Sequence, residues 1–361
     1  MTIRHLIVAA VLAALTGCAA FDGEPQGLGV PVRATLETPS VGTTGDDAAD
    51  DPAIWASATP VMFGDRPIRG FVAGTDKKAG LYIYGLDGAV LQFLPEGRLN
   101  NVDVVDGVVI GGRPQVVLGA SDRTVGRAGV ALYRFDPSAG AGSEVAVWGH
   151  IPTDVVEPYG FCMVRRGTEV HAILLGHEGE LRQYRLAAGA GGEPVAREMR
   201  RAEVGSISEG CAADPESDSL YVGEEGVGVW RYRLDPSSGA ARTLLQGVAA
   251  DVLVADVEGL TILEDRGARY LIASSQGDST FAVWRIDGQE PAFVGRFVVV
   301  EGAVDRVTGT DGLDALGGPV GDAFPEGLVV VQDDVNDRGT QNFKFIDWRE
   351  IRAALSPAAA R

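Results

Sequence analysis

Short acidic motifs recur along this chain at intervals of about fifty residues. Asp50-Asp51-Pro52 opens the series, and Asn100-Asn101-Val102-Asp103, Tyr159-Gly160, Glu209-Gly210-Cys211, Glu258-Gly259-Leu260 and Asp311-Gly312-Leu313 follow. From Asp51 through Asn101, Tyr159, Glu209, Glu258 and Asp311 the steps are 50, 58, 50, 49 and 53 residues. A fixed period in this range marks a repeat architecture, whose equivalent positions face one place. Carboxylates gathered in one place repel one another unless cations or protons neutralise them. The donors are oxygens, as calcium prefers. The chain has only four histidines, none with zinc-like spacing. For any single acid the alternative is a solvated loop carboxylate; that reading weakens for Glu209 and Glu258, which share a repeat position.

A second recurring element sets the scaffold. Strands of alternating character end in Asp-Gly or Asp-Pro turns and are anchored by Tyr84, Tyr133, Tyr184, Tyr232 and Trp284, spaced by 49, 51, 48 and 52 residues. Asn342-Phe343-Lys344-Phe345-Ile346-Asp347-Trp348 reads as a sixth copy. Alternation closed by such turns is a hairpin signal. Helical periodicity is nearly absent, apart from a short helical turn expected in 349–355. The fold class is therefore all-β. We expect a six-bladed β-propeller with four- to five-stranded blades around an axial channel, occupying residues 35–355. The acidic motifs belong on or beside the inner strands, at one mouth of that channel.

Asp and Glu outnumber Lys and Arg by 50 to 31, which argues against nucleic acid or anionic lipid as a partner. Bound cations can reverse the local field and admit an anion. Residues 1–17 read as a signal peptide, with a basic Arg4-His5 start and an apolar Leu6–Leu15 run too short to span a bilayer. Leu15-Thr16-Gly17-Cys18 resembles a lipobox with Cys18 as the lipidated residue; an ordinary secretory signal is the alternative. Either way export is expected, to the periplasm or the outer membrane, with membrane attachment only through the lipid. The segment 18–34 is expected to be a flexible tether, and the protein a monomer. Cys162 and Cys211 lie 49 residues apart on neighbouring units. A disulfide is possible, but two buried free thiols are the expectation.

Several motifs resemble those of the β-propeller phytases. They begin with Ala49-Asp50-Asp51-Pro52-Ala53-Ile54-Trp55, Gly74-Thr75-Asp76-Lys77-Lys78-Ala79-Gly80-Leu81 and Gly97-Arg98-Leu99-Asn100-Asn101-Val102-Asp103. Ser121-Asp122-Arg123, Tyr159-Gly160-Phe161, Glu209-Gly210-Cys211, Tyr221-Val222-Gly223-Glu224-Glu225 and Ala255-Asp256-Val257-Glu258-Gly259-Leu260 continue in order. Ser274-Ser275-Gln276-Gly277, Thr310-Asp311-Gly312, Val331-Gln332-Asp333 and Asn342-Phe343-Lys344 close the series. No one of these decides the matter; their shared order over about residues 35–352 is specific. The resemblance implies a phosphomonoesterase that needs several Ca²⁺ ions and acts on phytate (myo-inositol hexakisphosphate) by direct attack of a calcium-activated water on phosphorus.

On that resemblance Asp51, Glu209, Glu225, Asp256, Glu258 and Gln276 are expected metal ligands, while Asp50 caps or supports. Asp311, Asp333 and Asn336 are expected at a structural calcium site, although Asp334 departs there from the family's glycine. Lys77 and Arg123 are expected to hold phosphate, Arg123 with the planar fork that suits its oxygens. The alternatives are a solvated turn lysine and a structural ion pair. Tyr159 is expected to donate to phosphate or approach a metal, rather than serve only as packing. His177 stands where the family commonly has Lys. Histidine is mostly neutral at pH 7 unless an anion raises its pKa, so weaker phosphate capture at alkaline pH is expected. Two other readings remain open: a calcium-dependent lactonase or phosphotriesterase on the same architecture, needing neither Lys77 nor Arg123, and a non-catalytic binding propeller.

Overall fold

In the computed structural model, which describes residues 27–45 and 47–356, six antiparallel sheets stand around an axis as the blades of a propeller. The inner strands of blades 1 to 6 are Ala49–Phe63, Leu99–Ile110, Pro158–Arg166, Ser208–Asp214, Val257–Asp265 and Leu313–Gly317. Each touches the next, and the sixth touches the first, so the ring closes. Blades 1 to 4 are four-stranded. The alternating strands anchored by Tyr84, Tyr133, Tyr184, Tyr232 and Trp284 are the third strands of blades 1 to 5. Hydrophobic side chains from the facing sides of adjacent blades form six clusters, one at every seam. Trp55, Phe71, Tyr133 and Phe135, for example, interlock blades 1 and 2. Two-sided burial explains why the middle strands read as nearly continuous apolar runs.

The ring is latched by the N-terminal chain. Blade 6 takes Leu36–Glu37 as its outermost strand, with Leu36 opposite Phe345. Val30–Arg33 adds a parallel fifth strand to blade 5, Val30 opposite Phe297. The expected tether therefore stops short of residue 34: Val32 is buried at 1% exposure, and the sheet claims this stretch. The expected signal segment and Cys18 lie outside the described residues. Among the described residues no helix is long and apolar enough to cross a membrane; the helix that does form, Trp348–Leu355, is capped by the Asp347 carboxylate accepting from Arg349 N–H.

Cys162 and Cys211, expected as free thiols, are joined in a disulfide between the inner strands of blades 3 and 4, with Cα atoms 5.7 Å apart. Their common repeat position was legible. The separation that permits bridging depends on how closely two blades approach, which spacing along the chain does not encode.

Candidate active site at one mouth of the channel

Five of the six inner strands carry a register irregularity at the repeat motif. The pairing slips between Ala49 and Pro52, Leu99 and Val102, Pro158 and Phe161, Ser208 and Cys211, and Val257 and Leu260. A bulge re-aims a side chain that strict alternation would have placed elsewhere. The second residue of the repeat motif in blades 3 to 6 is glycine, for a steric reason. A Cβ on Gly160 would lie 1.9 Å from the Glu209 carbonyl oxygen, and one on Gly210 would lie 2.1 Å from that of Glu258. Gly259 N–H donates to the Asp311 carbonyl at 2.8 Å, and Gly312 N–H to that of Asp50 at 3.0 Å. Each glycine thus lets one inner strand rest on the backbone of the next, and the residue before it joins a ring of Asp50, Asn100, Tyr159, Glu209, Glu258 and Asp311.

From this ring Glu209 and Glu258 meet Glu225, which sits on the turn between the second and third strands of blade 4. That turn is pinned on both sides: Glu225 N–H donates to the Ile207 carbonyl at 3.1 Å and Val257 N–H donates to the Glu225 carbonyl at 3.0 Å. One carboxylate oxygen from each of the three glutamates lies within 4.8 Å of the others. All three residues are buried. Burial, then the charges of Glu209 and Glu225, push the Glu258 carboxyl well above its ordinary pKa. Burial also raises Glu209, against the pull of Lys77. Burial and then Asp256 bring Glu225 up to about 7. Glu225 Oε1, Glu258 Oε2 and Asp50 Oδ2 are buried without a hydrogen-bond partner, while Asp50 Oδ1 faces the Lys77 ammonium. Buried acceptors left open carry a large desolvation penalty. These convergent oxygens fit a hard divalent cation, and the chemistry they share is cation capture. Asp256, Gln276 and Asp311 line the same cavity of about 450 Å³, together with Tyr159, Asp334 and Gln341. Gln276 Nε2 donates to Asp311 Oδ1 at 2.6 Å, and Asn100 Nδ2 donates to Glu209 Oε1 at 2.9 Å.

Two cations border this acidic wall. Lys77, at the end of the second strand of blade 1, places Nζ 2.7 Å from Asp47, 2.9 Å from Asp311 and 3.0 Å from Asp50. Burial alone would lower the Lys77 pKa, but these carboxylates, Asp50 foremost, hold it charged well above the ordinary lysine value. Arg123 lies 3.6 Å from Glu157 and 5.8 Å from the Tyr159 ring centre. The negative charge of Glu209, then burial, raises the Tyr159 pKa, so its hydroxyl keeps its proton. His177 meets the same ring edge-on, with centroids 5.3 Å apart, and its Nδ1 is 3.3 Å from Glu178. Lys77, Arg123, Tyr159 and His177 thus gather on one side of the mouth.

Not every expected residue joins them. Asp50, rather than Asp51, stands in the ring. Asp51 turns down the channel, where Oδ2 accepts from Val102 N–H at 3.0 Å and the side chain borders a lower cavity of about 160 Å³ with Asp103 and Asp314. Asp311, Asp333 and Asn336 do not converge. Asp311 faces the mouth, while Asp333 is held 3.0 Å from the buried Lys344 ammonium, which also meets Glu37 and Asp305. Asn336 Nδ2 donates to Ser40 Oγ at 3.3 Å, away from the ring. Around Asp333 the positive charge is supplied by a lysine. Sequence reasoning missed Asp47, Glu157 and Gln341 at the mouth, none of which occupies a repeat motif, and it counted the blade 2 motif from Asn101 where Asn100 takes the ring position.

The profile of the phytase family matches residues 3–359. The chain belongs to the phytase family. A 3-phytase of Bacillus subtilis (strain 168) is 35% identical over 333 residues, covering 90% of this chain and 85% of that protein. This phytase is accordingly a hydrolase of a metal-dependent family, with an acidic cluster that can bind a metal. Among solved structures, a GH43_1 enzyme from Xanthomonas citri overlays with TM-score 0.42 and 14% identity, covering 68% of this chain and 86% of its own. So loose an overlay carries no functional information.

Proposed function

We propose that this phytase is a calcium-dependent phosphomonoesterase that releases phosphate from phytate at the mouth described above. The observation that carries the reading is the juxtaposition on one cavity wall of three buried glutamates, two of them with an open oxygen, and the Lys77 ammonium, with Arg123 beside the Tyr159 ring at its edge. Glu209, Glu225 and Glu258 would hold the ions, with Asp256, Gln276, Asp311 and Asp50 around them. Calcium there would neutralise the carboxylates and supply a more acidic water for attack on phosphorus. Lys77 and Arg123 offset charge on the nonbridging oxygens. The Tyr159 hydroxyl, kept protonated by its anionic neighbour, donates a hydrogen bond rather than accepting a proton. Asn100 steadies the Glu209 carboxylate by donating to it. The wall of acids also excludes anions until cations are loaded, which ties substrate binding to the metal.

Phosphate release from phytate is the decisive measurement. Activity is expected to vanish with a chelator and to return with calcium but not with an equal concentration of magnesium, which demands tighter octahedral geometry. Activity that survives chelation would sink the metal assignment. Activity on lactones or phosphotriesters exceeding that on phytate would overturn the substrate assignment. The reading also includes export, lipidation at Cys18 and a monomeric state. Incorporation of labelled fatty acid that disappears in Cys18→Ala checks the lipidation, and light scattering checks the mass.

A further inference from the structure

The acids at the mouth are buried or partly buried, but the two that face the cations from the solvent side are about half exposed. The Asp47 side chain is 54% exposed and that of Glu157 is 46% exposed, and each faces one of the cations assigned to phosphate. Asp47 lies 2.7 Å from Lys77 Nζ, and Glu157 lies 3.6 Å from Arg123 Nη1. The other partners of Lys77 are far less able to leave: Asp50 is 0% exposed and Asp311 15%. The Arg123 side chain is 9% exposed, and its Nε is buried without a hydrogen-bond partner. Both exposed acids sit on the chain just before an inner strand. Asp47 adopts a left-handed backbone (φ 58°) on the approach to blade 1. Glu157 precedes the blade 3 strand, where its carbonyl accepts from His177 N–H at 3.1 Å. The two carboxylates therefore stand one against Lys77 and the other against Arg123.

We propose that Asp47 and Glu157 are built-in substrate mimics: each occupies, on Lys77 or Arg123, the place of a phosphate oxygen, and an incoming phosphoryl group must displace it. The inference rests on the assignment of Lys77 and Arg123 to phosphate above. Such placeholders keep each cation oriented while the site is empty, and they set a threshold. A single phosphate recovers the contact of one displaced carboxylate. A molecule bearing two neighbouring phosphates displaces both, and its second contact is intramolecular. The pair thus raises the threshold for every phosphorylated ligand, and the intramolecular second contact is what lets a multivalent one clear it. This sets the two acids apart from every other carboxylate at the mouth: their removal strengthens anion binding, whereas loss of a metal-holding acid weakens it.

The test uses the calcium-loaded, full-length enzyme and its Asp47→Asn, Glu157→Gln and double variants, with Glu157→Asp as the charge-retaining control. Asn tolerates the left-handed backbone at 47, and Gln is isosteric at 157. Titration calorimetry with inorganic phosphate is expected to show affinity rising roughly two- to fivefold for each neutral variant, the range for a half-exposed ion pair. In the double variant each cation is expected to keep its own gain, without multiplication for a single bound phosphate, and Glu157→Asp is expected to stay near wild type. In the double variant, KM for phytate, which displaces both acids, is expected to fall at least as far as KM for a phosphate monoester, which displaces one. Unchanged phosphate affinity in both neutral variants would make the acids bystanders and overturn the proposal. Weakened affinity would show that they organise the cations and would overturn it as well. Should the wild type release no phosphate from phytate while the neutral variants still bind phosphate more tightly, the substrate assignment falls and the mimicry stands. Should it release phosphate while they bind no more tightly, the reverse holds.

Discussion

At Glu258 the conflict between folding and function is plainest. Its carboxylate is buried beside two others, with one oxygen unpartnered, so in the ion-free protein its charge works against the fold. Glu258→Gln removes that charge while keeping the shape. Thermal unfolding of the ion-free variant is expected at a higher temperature than wild type, while calorimetric calcium affinity falls by at least about 100-fold, since even indirect support of a metal site is worth 10- to 100-fold. A variant less stable and equally tight for calcium would show the cluster to be structural. His177→Lys makes a second test. A lysine beside Tyr159 stays charged through the alkaline range, so phosphate capture should persist to higher pH; an unchanged pH–rate profile would remove His177 from the phosphate site. At this scale the sequence revealed the ring but not its exact membership. Asp50 and Asp51 are adjacent, identical in type and on one strand, and the bulge between Ala49 and Pro52 decides which one faces the mouth. Bulges leave no mark in a pattern of alternation, so the choice of Asp51 over Asp50 was one residue out.

Among the elements, the inner strands of blades 3 and 4 are tied twice, by backbone contact at Gly160 and by the Cys162–Cys211 bridge. The bridge closes a loop of 49 residues. By the loss of chain entropy in the unfolded state, removing it costs about 4 kcal/mol. Denaturant unfolding of Cys162→Ala/Cys211→Ala should show that loss, and reductant should bring the wild type to the same midpoint. Equal stability with and without reductant would count against the bridge. The glycines make a sharper case. Gly210→Ala would put a methyl group 2.1 Å from the Glu258 carbonyl oxygen, and only a shift between blades 4 and 5 relieves it. A stability loss of roughly 3 kcal/mol is expected, the upper range for overpacking, together with weaker calcium binding, because Glu209 and Glu258 ride on the displaced strands. The strands themselves were legible because every third strand repeats an alternating, turn-terminated pattern. The contribution of Val30–Arg33 to blade 5 was not, since a four-residue edge strand in a Gly- and Pro-rich stretch carries no periodicity to read.

For the whole molecule, repetition made the architecture readable: six copies of one hairpin-rich unit have few ways to bury both faces other than a closed ring. The same repetition stacks like charges on the axis, and this gives stability a pH dependence that calcium should invert. Glu225 is pushed up to about 7, and Glu258 and Asp50 are held well above their ordinary values, first by burial and then by their anionic neighbours. A carboxyl whose pKa is higher folded than unfolded binds more protons in the native state, so stability falls as pH rises between the unfolded and folded values. Burial lowers His150 and His171, which act with the opposite sign below about 6.5, the unfolded histidine value. The informative window is therefore above pH 6.5. There the melting temperature of the chelator-treated protein should fall steadily to pH 8. The calcium-loaded protein should hold or gain over the same range, because protons no longer compete for the ligands and binding adds stability in proportion to ln(1 + [Ca²⁺]/Kd). The gap between the two curves, read by scanning calorimetry at fixed calcium, should widen with pH. A gap independent of pH would mean that the ions bind where no raised carboxyl has to lose a proton, and would move the metal site away from Glu209, Glu225 and Glu258.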